Sequence, residues 1–262
     1  MPGAFLWDDK VATALSITTL GVAPVTSMPI SNLLDSQPRI RARFPSNSNA
    51  LLIDFGASTQ IEAVALISTT LSSAATLSWQ QGDTVGAYSF DTGTLTGDTS
   101  DAASGNIIIV NPTPVVGRYL RLNFVDASAT VMDIGRLVAG PLWRLTRAFA
   151  YGVQEGRLIL DRRDRNPFTG GAFPVAALAN PRVTRFSLPL LTTAEVKGQH
   201  RAMLRAMGAA GDALWLPDTD LSRAEMNIRS IWGAVAEPGA EAMTSRDRFV
   251  GSLRSFTITE RV

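Results

Sequence analysis

Hydrophobic and polar positions alternate in short runs through the first half of the chain. The segments "ALLIDFG" (50–56) and "IEAVALIS" (61–68) are strand-length apolar runs parted by a polar turn, "ASTQ". "ATLSWQQ" (75–81), "NIIIV" (106–110) and "GRYLRLNFV" (117–125) follow, divided by segments rich in Gly, Asp, Ser and Thr. Within 118–124 the pattern places Tyr119, Arg121 and Asn123 on one face and Leu120, Leu122 and Phe124 on the other, the period of a half-buried strand. Many short strands with polar turns predict a β-sandwich. The polar stretch 82–105 reads as a decorated connection, with a functional or poorly ordered loop as the alternatives.

The pattern changes between Gly135 and Arg147, which predicts two domains, 1–141 and 142–262. In the second half "PRVTRFSLPLL" (181–191) alternates again, with Val183, Arg185 and Ser187 opposed to Thr184, Phe186 and Leu188. One helix is predicted over 192–210, where Val196, Met203, Leu204 and Met207 recur at helical spacing. Thr192 or Thr193 can cap it, with Glu195 in the first turn and Gly208 or Gly211 at its end. "ALWLP" (213–217), "NIRSIWGAVAE" (227–237) and "RFVGSLRSFTITE" (248–260) return to strands. The fold class expected is mainly β: an N-terminal sandwich followed by a β-rich α+β domain flanked by one helix.

Composition narrows the chemistry. The 262 residues are 45% hydrophobic, enough for two ordinary cores. A formal charge of +1 gives no electrostatic case for nucleic acid binding. Apolar runs fall short of the roughly 20 residues of a spanning helix, so membrane insertion is not expected. "MPGAFLWDDK" lacks the basic start of a secretion signal, so synthesis in the cytoplasm is expected. With no cysteine and one histidine, disulfides, thiolate sites and a zinc centre drop out.

Candidate catalytic residues are absent. His200 lies in the predicted helix without a nucleophile or carboxylate nearby and reads as a solvated residue. "PDTD" (217–220) lacks the glycine and distal glutamate of a calcium loop and reads as a plain turn. No phosphate loop, dinucleotide fingerprint or nucleophile elbow occurs. Neither metal, cofactor nor enzymatic activity is therefore expected. Arg39, Arg41 and Arg43 fall on one side of an extended segment, a solvated face or an edge for a protein neighbour or anionic ligand. Trp79 and Tyr88 are the sparse aromatic candidates for a sugar platform beside it. The charged turn "DRRDRNPFTGG" (161–171), with Arg162, Arg163, Asp164, Arg165 and Phe168, is an exposed loop in a monomer or a hairpin interface in an assembly.

A resemblance adds to these readings. Asn32–Leu34, Ile53–Gly56, Val64–Leu66 and Arg118–Leu122 resemble motifs of galactose-binding-like, discoidin-type jelly rolls over residues 30–140. The order of pieces after "DIGRLVAGPLW", through "EGRLILDRRDRNPFTGG", "LWLPD" and "WGAV", resembles minor tail proteins of long-tailed bacteriophages and gene transfer particles. The resemblance implies a structural component of a tail tip or baseplate, with a tail-tube-like second half. It would assemble as a three- or six-fold ring beside tail tube, tape-measure and hub proteins in the virion. The alternative is a carbohydrate-binding module that contacts a host surface glycan.

Overall fold

In the computed structural model Leu120, Leu122 and Phe124 are fully buried while Tyr119, Arg121 and Asn123 are half-buried. The alternation in the sequence thus turns one face of a strand to the core. Residues 3–99, 105–147, 153–158, 161–165, 168–170, 172–177, 180–208, 211–236 and 252–261 are described.

The strand itself is longer than its pattern implied. Ile107–Val125 runs unbroken and antiparallel to an equally continuous Ser48–Ile67. The turn expected at 57–60 is a bend inside that strand, where the pairing register slips between Asp54 and Thr59 and again between Ile61 and Ala63. Gly56 sits in the bend at φ 77°, a left-handed conformation that costs a residue without Cβ little. Extra residues in a ladder bend the strand, and apolar side chains from both sides of the bend, Leu51 and Ile53 before it and Val64 and Leu66 after it, line one core. Arg136–Gly140, Thr76–Gly82 and the short Ser16–Thr19, Phe90–Asp91 and Leu95–Thr96 complete a seven-stranded sheet. The stretch 82–99 is therefore partly woven into the sheet rather than an excursion from it, while 100–104 lie outside the described residues.

The second sheet is also seven-stranded, in the order Trp143–Arg144, Ala4–Leu6, Asp212–Leu216, Ile231–Ala236, Ser252–Glu260, Arg182–Leu191 and Gln154–Arg157. All pairings are antiparallel. Thr184, Phe186 and Leu188, the residues that the alternation puts on one face, are buried. One strand departs from the expected grouping of residues 1–141. Ala4–Leu6 lies in the second sheet, between Trp143–Arg144 and Asp212–Leu216. Its three residues are too few to show a period, yet all are 0% exposed.

A helical segment covers Thr193–Met207, with a π turn over Val196–His200 between two α-helical pieces. A second short helix, Arg223–Arg229, occupies the start of what read as a strand at 227–237; the strand proper is Ile231–Ala236. Ser222 caps this helix, its hydroxyl accepting from Glu225 N–H at 3.4 Å and donating to Glu225 Oε2 at 2.9 Å. Ser-x-x-Glu ahead of apolar residues is a start signal for a helix.

The two sheets share an apolar layer. Ala4, Leu6, Leu214, Leu216 and Trp232 from one pack with Ala63, Ala65, Ile67, Ile108 and Val138 from the other. Asn227, 1% exposed, crosses the same layer. Its Oδ1 accepts from Ile108 N–H at 2.8 Å and its Nδ2 donates to the Gly97 carbonyl at 2.9 Å.

Candidate functional site: a tryptophan-lined cleft

The N-terminal segment is fastened to the first sheet by backbone and charge. Lys10 N–H donates to the Ala139 carbonyl at 2.8 Å, and Asp9 accepts from Arg136 Nη2 at 2.7 Å and from Val11 N–H at 3.1 Å. Arg136 also donates to the Leu34 and Asp35 carbonyls and lies 4.6 Å from the Trp232 ring. Burial pushes the Asp9 carboxyl above its ordinary value, against the pull of Arg136 and the backbone donors. The Asp8 carbonyl approaches so closely that a Cβ on residue 140 would lie 2.2 Å from it, which is why Gly140 fits there. These contacts hold Trp7 and Asp8 at the rim of a cleft of about 870 Å³.

The opposite wall is the helical segment. Thr192 is its cap: the Thr192 hydroxyl accepts from Glu195 N–H at 3.2 Å, and Glu195 Oε2 accepts from Thr192 N–H at 2.8 Å. Glu195 Oε1 accepts from Thr146 N–H at 3.0 Å and from its hydroxyl at 2.9 Å, tying the helix to the chain after Trp143–Arg144. Burial alone would raise the Glu195 carboxyl, but the donors from Thr192 and Thr146 outweigh it and hold the group below its ordinary value. Gly198 and Gln199, in the π turn, face the cleft, with Trp143 and Arg144 across from them. Single π turns inside helices recur at binding sites. Trp143 is 4% exposed, and its buried Nε1 has no acceptor among the described residues.

The charged groups of this cleft are already engaged. Arg144 pairs with Glu62 at 3.3 Å and donates to the Asn111 carbonyl at 2.9 Å. Asp8 pairs with Lys10 at 2.7 Å, and Glu195 has the threonine donors above. What the cleft offers a ligand is the partly exposed Trp7 ring, small apolar wall residues and the exposed amide of Gln199. Trp7 and Trp143 were missed in the sequence because neither sits in a strand-length alternating run. The available signal was an aromatic residue directly before the pair Asp8–Asp9.

The residues singled out in the sequence fall elsewhere. Trp79 is 0% exposed in the first core, its Nε1 donating to Gln81 at 3.3 Å, so it is no ligand platform. Tyr88 is half-buried in the loop after Gly82. The three arginines do not form one edge, since only Ala42–Phe44 is strand. Arg39 is exposed, Arg41 donates to the Ser68 hydroxyl at 3.0 Å, and Arg43 grips Asp133 through Nε and Nη2, each at 2.8 Å. Arg162, Arg163, Asp164 and Arg165 lie on Asp161–Arg165, which pairs with Ala172–Ala177 as a separate two-stranded sheet. Phe168 stands in the turn between them, 95% exposed. His200 is not solvated: it is 1% exposed, 5.9 Å from the Phe256 ring and 6.2 Å from that of Trp143. It sits four residues after Val196 and three before Met203, so its position on the apolar stripe outweighs its polarity.

No family model and no curated protein matches the chain. Solved structures similar to about half of it include three sugar-binding modules or domains. Chitosan-binding module 1 of a chitosanase/glucanase from Paenibacillus sp. IK-5 is 14% identical, with 51% of this chain and 98% of that one covered at a TM-score of 0.40. A Streptococcus pneumoniae fucose binding module is 10% identical, with 51% and 98% covered at 0.40. The lectin domain of Lectinolysin, in complex with Lewis B antigen, is 8% identical, with 51% and 97% covered at 0.41. Likeness at that level assigns no ligand. The described chain is mainly β, two seven-stranded antiparallel sheets with short helices at the second.

Proposed function

We propose that the protein is a glycan-recognition module that binds without catalysing a reaction. The observation that carries this reading is the cleft itself. A partly exposed tryptophan lies beside an amide and ion-paired side chains in about 870 Å³, room for one or a few sugar rings. Sugars present an apolar C–H face that stacks on an indole, while their hydroxyls need fixed donors and acceptors. Glycoside hydrolysis needs two carboxylates across the scissile bond, and the carboxylates lining this cleft are held by Lys10 and by the threonine donors. A glycan array with the full chain, followed by titration of the best binder, tests the reading. Trp7→Ala is expected to weaken that binder by about tenfold or more, since an aromatic contact contributes about 0.5–1.5 kcal/mol beyond the apolar area it buries. An array without binders, or unchanged affinity in Trp7→Ala, would overturn it.

A second reading, the tail-tip or baseplate subunit of a phage virion, is favoured by the separate two-stranded arm. Among the described residues Asp161–Arg165 and Ala172–Ala177 pair only with each other, and they carry Phe168 at their turn, 95% exposed. An apolar side chain at the end of an arm suits a pocket on a neighbouring subunit, and head-to-tail contacts of this kind form a ring when the rotation between subunits closes. Neighbouring tail tube, tape-measure and hub proteins belong to this reading. Isolated exposed ion pairs contribute only about 0–1 kcal/mol, so Phe168→Ala should weaken assembly more than reversal of any single arginine in the arm. Particle assembly or solution mass unaffected by Phe168→Ala would refute it.

A further inference from the structure

Gln154–Arg157 is the outermost strand of the second sheet, and all four residues are exposed. Among the described residues no strand covers its outer side. Hydrogen-bonded positions alternate along an antiparallel pair. Leu158 N–H donates inward to the Pro181 carbonyl at 2.9 Å, and Gly156 and Gln154, opposite Val183 and Arg185, share its parity. The N–H and C=O groups of Glu155 and Arg157 therefore point outward. Native sheets protect such an edge with short length, charged side chains, proline or a covering element; on this four-residue edge the two charges are an acid and a base flanking a glycine, opposite in sign and so able to pair across a junction.

We propose that this edge pairs antiparallel with the same edge of a second copy of the chain, about a two-fold axis at Gly156. In that register Glu155 faces Arg157 of the second copy, and Arg157 faces its Glu155. The outward backbone groups of each pair exchange reciprocal hydrogen bonds, and opposite charges stand directly across the junction, where such pairs are favourable. Gly156 meets Gly156 of the second copy on the axis, so no side chains oppose there. Glu155 is already oriented by Arg229 at 3.2 Å. Leu158, 45% exposed, is then covered by Gln154 of the second copy. The contact is isologous, so it closes as a dimer and does not by itself propagate a ring. It is independent of the cleft, and neither the glycan reading nor the tail reading depends on it.

Sedimentation equilibrium of the full chain over a wide concentration range reads the dimer directly. Glu155→Arg places like charges across the junction twice and should raise the dissociation constant by about tenfold or more. Glu155→Arg combined with Arg157→Glu restores complementarity in the same register and should return the constant to near the original. Circular dichroism confirms that each variant is folded, as expected for exposed residues. A monomer at all concentrations, a dimer indifferent to Glu155→Arg, or a loss that the double reversal does not rescue would each overturn the proposal.

Discussion

Glu195 shows how one side chain can set a wall of the cleft. Each carboxylate oxygen accepts donors from a different segment, Thr192 on one side and Thr146 on the other. Glu195→Gln replaces one acceptor with a donor that faces other donors, so it is expected to destabilise the fold by about 1–3 kcal/mol at neutral pH. The folded carboxyl sits below its ordinary value of 4.5. Its contribution is therefore complete above 4.5 and lost as the pH falls through the lower, folded value. Denaturant unfolding of wild type and variant should show a gap at neutral pH that narrows in acid. A gap that persists in strong acid would mean that the carboxylate charge is not what these donors recognise. The glutamate in the first turn was legible from sequence; its second partner, Thr146, was not, because 49 residues separate them.

At the scale of elements, legibility followed the length and regularity of each pattern. The alternation over Leu120–Phe124 and over Thr184–Leu188 sorted the residues onto the right two faces, of which the structure buries one, because one wet face and one dry face force a period of two. Ser48–Ile67 read as two strands because its polar residues 57–60 mimic a turn, whereas a bulged strand exposes the same residues at its bend. The helix Arg223–Arg229 was overlooked because "NIRSIWGAVAE" ends in a β-rich run; the cap Ser222 with Glu225 was the contrary signal. Trp79 was misassigned for a simpler reason. Composition identifies an aromatic residue but not which side of a sandwich it faces, and inward pointing at 0% exposure ended its role as a platform. The cleft was illegible as a whole, since its walls come from residues 7–8, 141–146 and 194–202 and only tertiary packing brings them together.

For the whole molecule, the N-terminal strand decides how independent the two sheets are. Ala4–Leu6 is an inner strand of the second sheet, and the chain then passes directly into the Asp9–Arg136 contact on the first. Arg136 extends that contact to Trp232, on the second sheet again. The apolar layer around Leu6, Ile108, Leu214 and Trp232 is common to both. Separating the sheets would expose this layer and exchange the bonds of Asn227 with Ile108 N–H and the Gly97 carbonyl for bonds to water, a net loss of about 0.5–1.5 kcal/mol for each bond, beside the lost apolar burial. The halves are therefore expected to unfold together, in a single calorimetric transition whose calorimetric and van't Hoff enthalpies agree. Removing the first eight residues should break up that single transition and lower the melting temperature, because among the described residues Trp143–Arg144 pairs only with Ala4–Leu6, and Asp212–Leu216 loses one neighbour. Two well-separated transitions in the full chain, or a truncated protein that melts as the full chain does, would show that the shared layer contributes little and that each sheet is stabilised by its own core.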